Sequence, residues 1–301
     1  MGKIWLKIAV SIAVLVGVFM IADTSSIVDR LKTADLLWLG VALLCLTALT
    51  FLMAKRWQLT AQTLEIELSY RRAVREYYLA QLVNLILPGG VAGDAARAIR
   101  LRTEGDLIRT SQSVVLERLI GQIVMFGLMF IGFVFALIIP GGLAWPSWIW
   151  AVLLGGAIAV TLGVQLGKRK GAVATFLRLV GQCLRDPKQI ILSTIIAFVI
   201  NLSFYACAKA TGTVLPISAL FTLIPLILSS MLIPVSVGGW GWREGAGAAL
   251  FPLAGASASA GIATGIAYGA MMLVAALPAV ILIALPNSKT QTKYRQLEYN
   301  P

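Results

Sequence analysis

The sequence contains no histidine, three cysteines and few charged residues. Charged residues make up 13% of its 301 positions and hydrophobic residues 59%, whereas an ordinary soluble domain has about 25% charged residues. Without histidine, the chain has no imidazole for a catalytic triad, a general base or a metal site. Cys45, Cys183 and Cys207 form no Cys-x-x-Cys pair, so the sequence indicates neither a disulfide framework nor a thiolate metal site.

A nucleotide-binding loop is also missing. No segment has the pattern Gly-x-x-x-x-Gly-Lys-Ser/Thr, whose backbone and lysine hold nucleotide phosphates. We therefore expect no bound cofactor, and we expect any transport to be facilitative or coupled to a gradient.

Long apolar runs predict an all-α integral membrane protein. A helix needs about 20 apolar residues to cross the ~30 Å hydrocarbon layer. Six runs approach that length, and we predict that each is a full transmembrane helix: Ile4–Ile21, Leu36–Met53, Val114–Ile139, Trp148–Leu166, Ile190–Ala210 and Thr264–Leu285. The first run follows two lysines, as a signal peptide would, but no Ala-x-Ala site follows it. We expect a retained anchor within one polytopic membrane domain of residues 1–301.

The net charge of +12 is concentrated in three segments. Their basic residues are Lys55, Arg56, Arg71, Arg72 and Arg75 in one loop, Lys168, Arg169, Lys170, Arg178, Arg185 and Lys188 in another, and Lys289, Lys293 and Arg295 at the end. The positive-inside rule predicts that these segments and both termini lie on the cytoplasmic side of the membrane. We expect this membrane to be the cell inner membrane, whose anionic lipids balance the positive charge. We expect no nucleic-acid partner.

Two further apolar stretches, near residues 77–87 and 220–234, each run into a glycine cluster. Both show the same order: apolar helix, proline, paired glycines, another glycine, a charge and a helix of small residues. This order indicates a repeat. The backbone turns are predicted at Pro88, Gly89, Gly90 and Gly93, and at Gly238, Gly239 and Gly241.

Charge topology predicts the orientation of these two stretches. Basic residues flank the first on both sides, so it enters and returns, and three spans later the second starts from the opposite face. We therefore predict an inverted repeat of two re-entrant segments, about 76–103 and 217–258, followed by a short cytoplasmic tail at 287–301. The alternative is that the glycines only permit close helix packing.

Irregular backbone at membrane depth must face protein or a water-filled cavity, so the glycine clusters predict a cavity near the midplane. A charge inside a span costs about 2.5 to 3.5 kcal/mol, and such residues usually line a path or pair with each other. The candidate substrate-binding residues are Asp94, Arg97, Arg100, Glu117, Arg118, Arg243 and Glu244, with the amides Gln81 and Asn84.

The spacing of these charges suggests their partners. Arg97 and Arg100 share a helix face and, with free N–H groups at the helix start, can seat a phosphate or contact lipid headgroups. Asp94 is suited to capping that helix. Glu117 and Arg118 point about 100° apart, so each should reach a different neighbour, and Asp94 and Arg97 are candidates.

Arg243 and Glu244 are the only charges between Lys209 and Lys289. Their isolation beside the glycine turn predicts that they pair with each other. We expect Trp240 and Trp242 to mark the outer interface, where indoles are favoured, rather than to stack on a guanidinium or a sugar.

Three motifs carry a resemblance to a known family: LPGGVAGDAARAIRLR (87–102), SVVLERLIG (113–121) and PVSVGGWGWREG (234–245). The chain resembles, over nearly its whole length, the membrane region of lysylphosphatidylglycerol synthases, the multiple peptide resistance factors, and their stand-alone flippase-like relatives. The matching positions are Pro88, Gly89, Gly90, Gly93, Asp94, Arg97, Glu117, Arg118, Gly238, Gly239, Gly241, Arg243 and Glu244.

The resemblance implies a helical bundle that moves lipids between leaflets, as the resistance factors do for aminoacylated phosphatidylglycerol. Other relatives are associated with polyprenyl-phosphate sugars or hopanoid metabolism. The synthases carry a soluble aminoacyl-transferase domain after the membrane region, and here only Asn287–Pro301 follows. We therefore expect that this chain does not synthesise lysyl-lipid by itself.

The sequence leaves three functions open. The first is a translocase for a phosphate-bearing lipid, which is not an enzyme. The second is a membrane-embedded enzyme that uses Asp94, Glu117 or Glu244 as acid or base. The third is an accessory subunit that docks a lipid or glycan biosynthetic enzyme at residues 167–188. The expected partners are anionic membrane lipids, a lipid or glycan biosynthetic enzyme, and further copies of the chain.

Overall fold

A computed structural model describes residues 23–87, 90–102, 106–138, 148–232 and 237–284. Within these ranges the chain is all-helical. Its α-helices are α1 (Thr24–Lys32), α2 (Leu36–Thr63), α3 (Tyr70–Ile86), α4 (Ala92–Leu101), α5 (Leu107–Ile138), α6 (Trp148–Gly167), α7 (Ala172–Arg185), α8 (Pro187–Ala210), α9 (Leu223–Ser229), α10 (Trp242–Leu250), α11 (Ala258–Ala276) and α12 (Pro278–Ala284). Short 3₁₀ turns span Ile217–Leu220, Ser230–Leu232 and Phe251–Ala254.

The described part contains four helices long and apolar enough to cross a membrane: Leu36–Thr63, Leu107–Ala136, Pro187–Ala210 and Ala258–Ile283. The protein is therefore a multi-pass membrane protein. The predicted run at 148–166 is also helical, as α6. The predicted span at 4–21, the turn residues Pro88 and Gly89, and the tail at 287–301 lie outside the described residues.

Side-chain caps begin several of these helices. The carboxylate of Asp35 accepts a hydrogen bond from Leu37 N at 2.8 Å, and that of Asp186 accepts one from Lys188 N at 3.0 Å. Each carboxylate satisfies one of the N–H groups that a first helical turn leaves unpaired. Pro187 then occupies the first position of α8, where its missing N–H costs nothing.

Helices α2 and α8 form the antiparallel centre of the bundle. At one end, Asp35 N donates a hydrogen bond to Ala210 O at 2.9 Å. At the other end, Gln189 Nε2 donates one to Thr60 Oγ1 at 3.1 Å. Helix α5 packs against α8, and α11 packs against α2. The central pair therefore carries the two other long helices on its flanks.

Two short helical segments turn back on themselves beside this centre. In the first, α3 and α4 are so close that a Cβ added to Gly93 would lie 2.1 Å from Ala80 O. In the second, residues 217–232 lead to α10, and Gly238 adopts a positive φ of 56°. A Cβ on Gly238 would lie 2.8 Å from Leu85 O, so the second turn contacts the end of α3.

Several boundaries differ from those that hydropathy predicts, and α5, for example, begins at Leu107 rather than at Val114. Helix α2 continues ten residues beyond Met53 to Thr63, and α3 begins at Tyr70 rather than near residue 77. Arg56, which the sequence places in a cytoplasmic loop, is therefore inside a helix and only 4% exposed. Hydropathy underestimates α2 because its last turns are polar yet buried against other helices.

Helix α7 is amphipathic and follows the basic segment at residues 168–170. Ala174, Val180 and Cys183 face the protein, whereas Arg178 and Arg185 are exposed. The helix packs against α5, α6 and α8. The residues proposed as a docking surface therefore form a helix with an exposed basic face.

Candidate functional site

Four charged residues that the motifs single out meet in one cluster. Arg97 Nη2 lies 3.0 Å from Asp94 Oδ1 and 3.0 Å from Glu117 Oε2. Arg118 forms an ion pair with the other oxygen of Asp94. Asp94 and Arg97 are one turn apart on α4, while Glu117 and Arg118 are adjacent on α5. Each residue of the adjacent pair therefore reaches a different partner on α4, as the helical geometry predicts.

Two aromatic rings enclose the Arg97 guanidinium. Its central carbon lies 4.6 Å from the ring centre of Trp57 on α2 and 4.4 Å from that of Tyr77 on α3. Arg97 is 0% exposed. Cation–π attraction is strongest for such a desolvated guanidinium. Arg97 therefore joins α2, α3, α4 and α5 at one point.

Arg56 is a fifth charged member of the cluster and was not among the sequence candidates. Its Nε lies 2.9 Å and its Nη2 2.5 Å from Glu117 Oε1. A Cβ on Gly121 would lie 2.6 Å from Arg56 Nη1, so this glycine makes room for the guanidinium. The sequence does contain a signal for this longer helix, because no proline or glycine interrupts residues 54–63 and nothing at Met53 marks a helix end.

Of the two candidate amides, Asn84 connects the cluster to α3, and Gln81 connects α3 to α2. Asn84 donates from Nδ2 to Asp94 Oδ2 at 3.1 Å and accepts at Oδ1 from Gly93 N at 2.7 Å. Gln81 Oε1 accepts from Thr50 Oγ1 at 3.0 Å. The Asn84 side chain therefore fixes both the start of α4 and the orientation of the Asp94 carboxylate.

Arg100 is not part of this cluster. Its Nε lies 2.5 Å from Glu76 Oε2, and its side chain is 38% exposed. Because Arg97 and Arg100 are three residues apart, both lie on one side of α4. Arg100, however, pairs with a carboxylate of α3 that lies nearer the ends of the two helices. The structure therefore separates it from the other candidates.

A cavity of about 310 Å³ lies beside the cluster. Its polar lining includes the sequence candidates Gln81, Asn84, Asp94, Glu117 and Arg118, together with Arg56, Gln122 and Ser193. The turn glycines Gly90, Gly238 and Gly239 also line it. The cavity therefore lies where the two turning segments meet, between α2, α3, α5 and α8.

The apolar part of the cavity lining is rich in methionine. Met53, Met125, Met231 and Met272 come from four different helical segments. Methionine side chains are flexible and polarisable, so they adapt to ligands of different shape. The cavity thus combines a charged wall with an adaptable apolar one.

Arg243 and Glu244 form a second, separate cluster. Arg243 Nη2 lies 2.5 Å from Glu244 Oε1, and Gly241 N donates to Glu244 Oε2 at 2.6 Å. Both residues are 0% exposed. The predicted pairing is therefore present, and it closes the glycine turn at the start of α10.

Aromatic rings also cover Arg243. Its guanidinium carbon lies 4.8 Å from the ring centre of Trp240 and 5.6 Å from that of Tyr268. Trp240 therefore stacks on a buried guanidinium, which is the alternative that the sequence pattern did not favour. Neither Arg243 nor Glu244 lines the cavity, whereas Tyr268 does. Tyr268 is thus the contact between this cluster and the cavity.

The two clusters differ in net charge. The first contains the cations Arg56, Arg97 and Arg118 and the anions Asp94 and Glu117, so it carries one excess positive charge. The second has one charge of each sign. In the described ranges, no group of three Cys, Asp or Glu side chains is arranged to hold a metal ion.

A protein-family model matches most of the chain. The family model described as the lysylphosphatidylglycerol synthase TM region matches residues 4–279, in agreement with the three motifs. A search of curated proteins gave no match.

Proposed function

The chain belongs to the family of the lysylphosphatidylglycerol synthase transmembrane region, and on that premise we propose that it moves a phosphate-bearing lipid between membrane leaflets. Its substrate is an anionic phospholipid, an aminoacylated one or a polyprenyl-phosphate sugar. The alternatives are a lipid-modifying enzyme and an accessory subunit of a lipid or glycan synthase.

The observation that carries the proposal is the unbalanced positive charge beside the cavity. Asp94 and Glu117 balance the two buried cations Arg56 and Arg97, so the excess positive charge lies on Arg118, whose side chain is 45% exposed. Arg56, Arg97 and Arg118 face only Asp94 and Glu117 in the described residues of this cluster. The phosphate of a lipid headgroup supplies the missing negative charge, and arginine is well suited to bind it.

Arg118 is the residue best placed to receive that phosphate. Its side chain is 45% exposed, unlike those of Arg56 and Arg97, and its carboxylate partner is Asp94 alone. Asp94 has a second cation in Arg97. A phosphate can therefore replace Asp94 at Arg118 while Asp94 stays compensated.

The element order supports an inverted repeat. Helices α8, α10 and α11 begin about 150 residues after α2, α4 and α5, respectively, and residues 217–232 occupy the place of α3. The packing is reciprocal, because α5 contacts α8 while α11 contacts α2. In this proposal, residues 76–103 and 217–258 are the two re-entrant segments. They enter from opposite faces.

An alternating-access cycle follows from this arrangement. The two turning segments meet where Gly238 approaches the Leu85 backbone, beside the cavity. Rocking of one repeat against the other opens the cavity to each leaflet in turn, while the acyl chains stay in the bilayer. The sealed Arg243–Glu244 pair holds the second turn together during this motion.

Leaflet exchange in liposomes tests the proposal. We expect the wild-type protein to exchange fluorescent phosphatidylglycerol and Arg118→Gln to slow it roughly tenfold to a hundredfold, since a charge-assisted hydrogen bond contributes about 1.5–3 kcal/mol. Arg109→Gln is the matched control, because the Arg109 side chain is 55% exposed and its guanidinium lies no closer than 3.7 Å to a carboxylate oxygen.

Three results would contradict the proposal. Exchange no faster than in protein-free liposomes removes the translocase. A chemically altered lipid after incubation favours the enzyme. Activity of a co-purified synthase that is lost when residues 167–188 are deleted favours the accessory subunit.

A further inference from the structure

Each half of the proposed repeat contains a short helix that packs against a long helix of the other half. Helix α1 packs against α11, and α7 packs against α5. Helix α7 begins about 150 residues after α1, and α11 begins about 150 residues after α5. The α1–α11 junction and the α5–α7 junction are therefore counterparts, and their packing can be compared position by position.

The α1–α11 junction is closed by an apolar cluster. Ile27 of α1 clusters with Ile262 and Ala263 of α11, and all three are at most 1% exposed. Ile266, one turn further along α11, packs against the same cluster. Apolar side chains therefore fill this junction as they fill a hydrophobic core.

The α5–α7 junction is open at the corresponding place. It contains a groove of about 470 Å³, within the range of about 300–1,000 Å³ that is usual for ligand sites. The groove is lined by Leu107, Ile108, Ser111, Gln112, Val115 and Phe176. Ser111 and Gln112 are the fifth and sixth residues of α5, and the same positions of α11 carry the clustered Ile262 and Ala263. The groove therefore has a hydroxyl and an amide where its counterpart has hydrocarbon.

The lining of the groove suits an amphiphile. Ile108 is 71% and Val115 55% exposed, at the end of a helix long enough to cross the membrane. Ser111 and Gln112 lie between them on one face of α5, because neighbours in this row are three or four residues apart. A phospholipid of the surrounding bilayer has acyl chains for the apolar walls, and its ester and phosphate oxygens accept hydrogen bonds from the hydroxyl and the amide.

The segment beside the groove is basic. Residues 168–170 are Lys-Arg-Lys, all are exposed, and they lead into α7, on which Phe176 lines the groove. On α5, Arg109 lies 3.7 Å from Asp106, so these two charges offset each other. The remaining positive charge belongs to residues 168–170, and such a segment at a membrane surface attracts anionic lipids.

We infer that the α5–α7 groove binds an anionic phospholipid of the bilayer, at a site separate from the cavity beside Arg118. An acyl chain lies against the apolar walls, Ser111 and Gln112 donate hydrogen bonds to the lipid oxygens, and residues 168–170 attract the charged headgroup. The lipid occupies the space that side chains occupy at the α1–α11 junction. It therefore completes the contact between α5 and α7, whether or not the protein moves lipids.

A variant that copies the closed junction tests the inference. In full-length protein with Arg118→Gln, which weakens the proposed phosphate site of the cavity, we expect native mass spectrometry to show one bound phosphatidylglycerol. Adding Ser111→Ile and Gln112→Ala should weaken this binding about fivefold to a hundredfold, because two hydrogen-bond donors are lost. Thr33→Ile, which adds the same side chain at the exposed end of α1, should leave the binding unchanged.

Two further measurements separate lost binding from lost folding. The melting temperature of the Ser111→Ile and Gln112→Ala variant in lipid-free detergent should not fall, because its new side chains are those of the packed counterpart. Changing residues 168–170 to glutamine alters only exposed side chains. We expect phosphatidylglycerol to bind about fivefold to a hundredfold more tightly than phosphatidylcholine, and this charge variant to lose the preference.

Three results would overturn the inference. They are equal binding of the two lipids, unchanged phosphatidylglycerol binding when Ser111 and Gln112 are replaced, and a preference that the charge variant retains. A protein that co-purifies with the wild type and is lost with the same replacements, in place of a lipid, also overturns it and makes the groove a docking surface. Groove binding without any leaflet exchange overturns the translocase and leaves this site in place.

Discussion

At the scale of single residues, Glu117 is the carboxylate on which the first cluster depends. Its two oxygens accept hydrogen bonds from Arg56 and from Arg97, which lie on different helices. It is 0% exposed. Removing its charge leaves two buried guanidinium groups with Asp94 as their remaining anion, so the charge excess of the cluster rises from one to two.

We therefore predict that Glu117→Gln lowers the free energy of unfolding by about 3 kcal/mol, the lower end for breaking a buried ion pair. Thermal unfolding in detergent measures the effect. Glu67→Gln is the matched control, since Glu67 is exposed and surface substitutions usually change stability by less than about 0.5 kcal/mol. Equal melting temperatures for the two variants would show that the ion pairs add nothing to the fold.

Part of the charged cluster can be predicted from sequence. Intramembrane charge is expensive, which singles out Asp94, Arg97 and Glu117, and helical geometry indicates that neighbours must reach different partners. Arg56 was not predicted as a member of the cluster, because it follows Lys55 and the two residues together resemble the basic residues of a cytoplasmic loop. Its burial depends on how α2 packs against α5, which no local pattern states. The stacking of Trp57 on Arg97 depends on the same packing.

At the scale of helices, Gly93 determines how closely α3 and α4 approach. A Cβ at this position would lie 2.1 Å from the backbone oxygen of Ala80, which cannot move away as a side chain can. Gly93 N also donates to Asn84 Oδ1. The glycine therefore sets the distance at which the first turning segment closes and at which Asn84 contacts Asp94.

Gly93→Ala should force the two helices apart and lower the free energy of unfolding by about 1–3 kcal/mol, as overpacking does. Gly127→Ala on α5 is the control, because a Cβ there meets no atom within 4 Å. Its stability should be unchanged or slightly higher, since alanine favours the helix. Thermal unfolding of both variants decides the matter. A stable Gly93→Ala variant would mean that α3 and α4 can separate without cost.

Helix positions were easier to predict than helix ends. The runs at 36–53, 114–139, 190–210 and 264–285 all lie within or largely overlap the four long apolar helices. Their polar extensions were missed because hydropathy measures contact with lipid, whereas residues such as Thr60 and Gln189 are buried against each other. The glycine clusters predicted a turn, but the contact of Gly238 with Leu85 depends on tertiary packing.

At the scale of the whole molecule, the charged clusters of the two halves differ in net charge and in access to the cavity. The first has an excess positive charge and opens on the cavity through Asp94 and Arg118. The second is neutral and sealed around Arg243 and Glu244. The two clusters therefore differ in chemistry, although the proposed repeat would place them at corresponding positions. In the proposed cycle, one half binds the headgroup, while the other supplies a rigid turn against which it moves.

The inverted arrangement predicts which connections share a side of the membrane. If residues 76–103 enter the membrane and return, the C-terminal ends of α2 and α4 lie on the same side of it. If residues 217–258 also enter and return, the C-terminal ends of α8 and α10 lie together on the opposite side. Single cysteines at Thr63, Arg102, Val214 and Ser257, in a variant whose native cysteines are alanine, can be labelled with an impermeant maleimide. We expect Thr63→Cys and Arg102→Cys to react only in inside-out vesicles, as does Lys170→Cys in the basic segment, and the other two only in intact spheroplasts. Labelling of Thr63→Cys and Arg102→Cys from opposite sides would show that the first segment crosses the membrane. It would then not be re-entrant, and the proposed alternating-access cycle would be contradicted.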